Sequence, residues 1–137
     1  MIAIDTNILC RFYIDDENDG KAMEQHVIAA HVLASPSVFI SKSVLLEFAW
    51  VAENRYGLVA KKIMAMIAHL CGLENVEIED HAAVESAISG CSKGLEFADA
   101  LHLGSARNCE KFVTFDDQKF ARRAQKLGLS PPCIVPG

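Results

Sequence analysis

The sequence predicts an α/β fold, with a central parallel sheet of four or five short strands flanked by helices on both faces. Three observations predict it. Apolar runs of strand length recur at Ile2 to Ile4, Val38 to Ile40, Val76 to Ile78, Phe112 to Phe115 and Ile134 to Val135. Longer segments with helical period separate them, and such alternation builds parallel sheets covered by helices. The chain has 137 residues, 51% of them hydrophobic, and no Pro- or Ser-rich linker, which predicts one domain over residues 1–137.

Each element has its own signal. After the first strand, Asp5-Thr6-Asn7 supplies capping residues ahead of a short helix. Ala22 to Ala34 is helical by period, and Ser-Pro-Ser and Ser41 bound the second strand. Ser43 to Asn54 is a helix ended near Gly57, and Leu58 to Leu70 is a helix closed by Gly72. Asp80 caps a helix over Ala82 to Ser92. Phe97 to Asn108 and Gln118 to Leu127 are the last two helices, the second stopped by Gly128. No internal repeat interrupts this order.

Composition narrows the function. Thirteen Lys and Arg against eighteen Asp and Glu leave a formal charge of -5, so a polyanionic partner must be met by a local patch or through metal ions. Every apolar run is far shorter than the roughly 20 residues a membrane span needs. Met1 to Asp5 has neither a basic region nor an apolar segment of signal length, and a cytoplasmic location is expected. Five cysteines without a Cys-x-x-Cys pair fit buried thiols in a reducing compartment, not a disulfide framework or a zinc site.

Acidic residues carry the strongest functional signal. Asp5 follows the first strand, Glu47 and Asp99 interrupt apolar helical runs, and the Asp116-Asp117 pair follows the fourth strand. Ligands of parallel α/β sheets gather beyond the carboxyl ends of the strands, where Asp5 and Asp116 fall. Local structure offers competing accounts: capping for Asp5 and for Asp116-Asp117, a solvent-facing helix edge for Glu47, and a buried Asp-His hydrogen bond for Asp99 with His102.

Two carboxylates about 4 Å apart repel by roughly 4 kcal/mol at an effective dielectric near 20. A hard divalent cation removes that penalty, and oxygen-only ligands suit Mg²⁺ or Mn²⁺. Such ions promote in-line displacement at phosphorus, so phosphodiester hydrolysis is the expected chemistry. Asn7 in the place of a second Asp argues against an aspartyl-phosphate site.

Taken in order, Ile4-Asp5-Thr6-Asn7, Leu46-Glu47, Ala98-Asp99-Ala100-Leu101-His102-Leu103 and Val113-Thr114-Phe115-Asp116 resemble a PIN-domain ribonuclease, and the chain's size resembles the VapC toxins. The resemblance covers the whole chain. It implies a single PIN-like domain, metal-dependent endonucleolytic cleavage of RNA, a homodimer, and a VapB-type antitoxin as partner. It carries Asp5, Glu47 and Asp99 over as catalytic, metal-holding acids, with Asn7 and Thr114 as support and Asp116 as first choice for the fourth acid. His102, one turn from Asp99, is read from its spacing as support for that acid. Asp117 offers a rival fourth carboxylate, and Phe120 lies one residue farther from Asp116 than the family pattern has it.

Lys42, Lys119, Arg122 and Arg123 are candidate RNA contacts, with a solvated helix face as the competing account. Trp50, Ile63, Met64 and Met66 are candidates for a dimer interface or for the core. The alternative function is a PIN-like module that binds RNA or protein without cleaving it.

Overall fold

Every strand pairing is parallel, as the alternation of strands and helices requires. The computed structural model describes residues 1–137, in two compact units. The first, Met1–Glu79, holds β1 (Ile2–Ala3), α1 (Thr6–Tyr13), α2 (Ala22–Leu33), β2 (Val38–Ile40), α3 (Lys42–Asn54), α4 (Ala60–Cys71) and β3 (Val76–Ile78). The second, Asp80–Gly137, holds α5 (His81–Ser92), α6 (Phe97–Ser105), β4 (Phe112–Val113), a π-helical segment (Asp117–Ala121), α7 (Arg122–Lys126) and β5 (Cys133–Ile134). The α/β class is as expected. Its five strands divide into a sheet of three, in the order β1-β2-β3, and a pair, β4-β5.

In the first unit β2 is the central strand, and Val38 and Ile40 are buried on it. Its register pairs Val38 with Ile2 on one side and Val76 on the other. The Ser41 hydroxyl caps α3 by accepting from the Val44 amide at 3.2 Å. Leu45, Phe48, Ala49 and Ala52 recur with helical spacing and bury one face of that helix. Gly57, at φ +67°, ends it: the Gly57 amide donates to Glu53 O and the Leu58 amide to Ala52 O, each at 3.0 Å. Only glycine takes that left-handed turn without a Cβ penalty. Leu58 is consumed by this turn, so α4 starts at Ala60 instead of Leu58.

Small residues set the packing of the second unit. Along α5, Ala83, Val84, Ala87 and Gly90 are buried. Against them α6 turns Phe97, Ala100, Leu101, Leu103 and Gly104 inward. A Cβ on Gly104 would come within 3.0 Å of the Ala83 carbonyl oxygen, and one on Gly90 within 3.2 Å of Ala100 Cβ. That close face leaves Asp99 half-buried and His102 exposed on the rest of α6. The helix stops at Ser105, short of the expected Asn108, where the Arg107 guanidinium donates to the Gly104 carbonyl at 3.2 Å and binds Asp80.

Burial decides between two accounts left open by the sequence. Ile63 and Met64 are core residues of α4, so of the suggested interface residues only Trp50, at 65%, is strongly exposed. Three exposed apolar side chains, Met23, Val27 and Ile28, share α2. The cysteines form no disulfide; Cys10 and Cys133 are buried as expected, whereas Cys109 is exposed.

Candidate active site

In the first unit the chain emerges from β1, and Asp5 caps α1 with extended backbone (φ -96°, ψ 168°), its Oδ1 accepting from the Thr6 amide at 2.7 Å. Capping is therefore part of what Asp5 does, yet its carboxylate stays exposed. Thr6 is buried, at 4% exposure. Its hydroxyl donates to Oε1 of Glu47 on α3. One residue thus holds both acids, Asp5 through its amide and Glu47 through its hydroxyl. Glu47 is exposed, as the helix-edge account has it, because the buried stripe of α3 passes beside it. Asn7 is exposed on the first turn of α1.

The second unit brings together Asp99 and Asp116. Burial raises the Asp99 carboxyl above the usual carboxylate range, the charges of Glu96 and Asp116 push it further, and His102 opposes them. Burial likewise raises the Cys133 thiol, with Asp99 and Asp116 adding to the effect. Asp116 itself is exposed and caps the π-helical segment, Oδ1 accepting from the Lys119 amide at 3.1 Å. Thr114 shapes the approach, its Oγ1 accepting from the Asp116 amide at 3.0 Å. That local bond turns the chain, so β4 ends at Val113 where a strand to Phe115 was expected.

Asp117 has a different role. Its two carboxylate oxygens take Arg122 Nε at 3.2 Å and an Arg122 terminal nitrogen at 3.0 Å. The adjacent acids are thereby told apart: Asp116 acts on Asp99, and Asp117 pairs with a cation. The π-helical segment also accounts for the extra residue before Phe120. Ala121 donates to Asp116 O at 3.0 Å and Arg122 to Asp117 O, both five residues back, so the wider turn absorbs one residue and still buries Phe120 against Phe112.

Of the candidate phosphate contacts, Arg122 is thus paired, and Arg123 donates to the Gly94 carbonyl at 2.7 Å. The Lys119 side chain is exposed. The Lys42 amide donates to Glu79 at 2.9 Å at the start of α3. A cavity of about 340 Å³ in the first unit is lined by Phe12, Tyr13, Asp15, Asp16, Met23 and His26 among others, and contains none of the site acids.

Two contributors escape the sequence reading. Glu96 stands three residues before Asp99, and that one-turn spacing was visible in the chain. Thr6 gave no such signal, since its partner lies 41 residues away.

The donors are all oxygens, carboxylates supported by hydroxyls, and this chemistry fits a hard divalent cation. Asp5 and Glu47 are such donors in the first unit, and Asp99 and Asp116 in the second. Within either unit no three His, Cys, Asp or Glu side chains are grouped to hold a metal by themselves.

The PIN domain family model matches residues 2–126 of the chain. No curated protein matches it.

Proposed function

This chain belongs to the PIN-domain family, and from that premise we propose that it is a metal-dependent endoribonuclease, the VapC-type toxin of a VapB–VapC pair. PIN domains are generally nucleases, so hydrolysis of phosphodiester bonds is the coarse activity. The observation that supports the metal dependence is the half-buried Asp99 carboxyl, raised by burial and by the charges of Glu96 and Asp116. Such a group is suited to a cation, which would relieve the repulsion.

When bound, Mg²⁺ or Mn²⁺ supplies charge neutralisation at a phosphoryl oxygen and lowers the pKa of an attacking water. Asp5, Glu47, Asp99 and Asp116 provide the carboxylate oxygens. Thr6 orients Glu47, Thr114 orders the backbone at Asp116, and His102 tempers the charge around Asp99. Asn7, next to the Asp5 cap, supplies a further polar group. Lys119, exposed three residues after Asp116, would meet substrate phosphate, and Lys42 begins the helix that carries Glu47. Arg122 and Arg123 would have to exchange their present partners to do the same. Both units are proposed to act as one nuclease domain.

A basic VapB-type antitoxin would complement the net charge of -5. Met23, Val27 and Ile28 on α2 offer apolar area for a protein partner, either the antitoxin or a second copy in a homodimer. No helix is long and apolar enough to cross a membrane, and a cytoplasmic location is part of the proposal.

The test is cleavage of total cellular RNA by the purified chain with Mg²⁺, Mn²⁺ or EDTA, beside folded Asp5→Asn and Asp99→Asn variants. Discrete fragments that require metal and disappear in both variants are expected. Uncut RNA together with metal binding that ignores both acids would replace the nuclease with a binding-only module.

A further inference from the structure

We propose that Phe115 is a base-stacking residue, whose ring receives an unpaired base of the RNA strand beside the phosphate to be cleaved. The inference rests on the nuclease reading above and adds to it the residue that selects an unpaired strand.

Three aromatic residues lie around β4, and the fold uses two of them. Phe120 is buried, and its ring lies 5.2 Å from that of Phe112. Phe115 is 85% exposed and forgoes the stabilisation that burial would bring. It also stands between Thr114 and Asp116, the site's supporting hydroxyl and one of its acids.

The backbone that displays it is tied down on both sides. The Thr114 amide donates to Ile134 O at 2.9 Å, the Asp116 amide to Thr114 Oγ1 at 3.0 Å, and the Lys119 amide to Asp116 Oδ1 at 3.1 Å. Little ordering cost then remains when a ligand meets the ring. Unpaired RNA bases stack on exposed aromatic side chains, whereas bases in a duplex are already stacked and paired. A planar ring one residue from a metal-holding carboxylate therefore favours RNA whose bases are free near the scissile bond. A protein partner would also cover the ring, but it would ask for apolar area and not for a planar face.

The experiment measures cleavage and binding of a pool of short single-stranded RNAs in Mn²⁺ by the full chain and by Phe115→Ala, Phe115→Leu and Phe115→Tyr, with thermal unfolding as the control for folding. Stacking predicts a loss of affinity of about 5- to 150-fold for Phe115→Ala. It also predicts little recovery with Leu and near-complete recovery with Tyr. In a Trp50→Phe background, Phe115→Trp leaves position 115 as the sole tryptophan; its fluorescence should be quenched by single-stranded RNA and not by duplex RNA. Wild-type affinity in Phe115→Ala, full rescue by Leu, or a loss of self-association in Phe115→Ala would overturn the proposal while leaving the nuclease reading intact. A wild-type chain that neither binds nor cuts RNA would overturn both.

Discussion

The Thr6 hydroxyl donates to the Glu47 carboxylate across 41 residues of chain, while the Thr6 amide donates to Asp5. A hydrogen bond to a charged group contributes about 1.5–3 kcal/mol. Thr6→Val keeps the shape and the amide but removes the hydroxyl, so Glu47 loses its orientation and Asp5 does not. We expect cleavage to fall about 10- to 100-fold, with weaker Mn²⁺ binding and a lower urea midpoint. Thr6→Ser should restore both, as isothermal titration and single-turnover cleavage would show.

Asp99 makes the chain's stability depend on pH in a defined direction. Its folded carboxyl is raised, first by burial and then by Glu96 and Asp116. Between the ordinary carboxylate value and the raised one, the folded state binds more protons than the unfolded, so stability declines as pH rises through that window. Asp99→Asn should therefore unfold at a higher urea midpoint than wild type at pH 7, although it is inactive. The gap should close in acid and on adding Mn²⁺ to the wild type. A lower midpoint for the variant at pH 7 would refute this.

The two adjacent acids should behave differently. Asp116 acts on Asp99, whereas Asp117 pairs with Arg122 on the surface. Exposed ion pairs contribute about 0–1 kcal/mol. Asp117→Asn should then change the unfolding free energy by less than about 1 kcal/mol and leave most of the cleavage rate. Asp116→Asn should abolish cleavage while still capping the π-helical segment through its side-chain oxygen. Equal loss in the two variants would reverse the assignment.

Gly104 tests the packing that presents Asp99. A methyl group there would lie 3.0 Å from the backbone oxygen of Ala83, which has little room to move. Gly104→Ala should destabilise the chain by about 1–3 kcal/mol, offset in part by the higher helix propensity of Ala. Equilibrium unfolding would measure it. A stabilised variant would show that α5 and α6 separate easily.

Much of the fold was legible because its signals are local. Helical spacing in Leu45, Phe48, Ala49 and Ala52, the Ser41 and Asp80 caps, and Gly57 after α3 each act within a turn or two of chain. The Val38 to Ile40 and Val76 to Ile78 strands fall where apolar runs place them. Strand β4 was harder to bound, because Phe115 extends the apolar run while the Thr114 hydroxyl turns the backbone.

For the acids, sequence position said which side chains carry charge and in what order they come. It located Asp5 and Asp116 after strands and His102 one turn of helix beyond Asp99. Tertiary structure alone decided that Thr6 reaches Glu47, that the charge of Asp116 bears on Asp99, and that a π-turn takes up the additional residue before Phe120. The reason is physical. Periodicity and capping are settled by neighbours along the chain, whereas a hydrogen bond across 41 residues, or a choice between adjacent carboxylates, depends on how helices and parallel strands settle against one another.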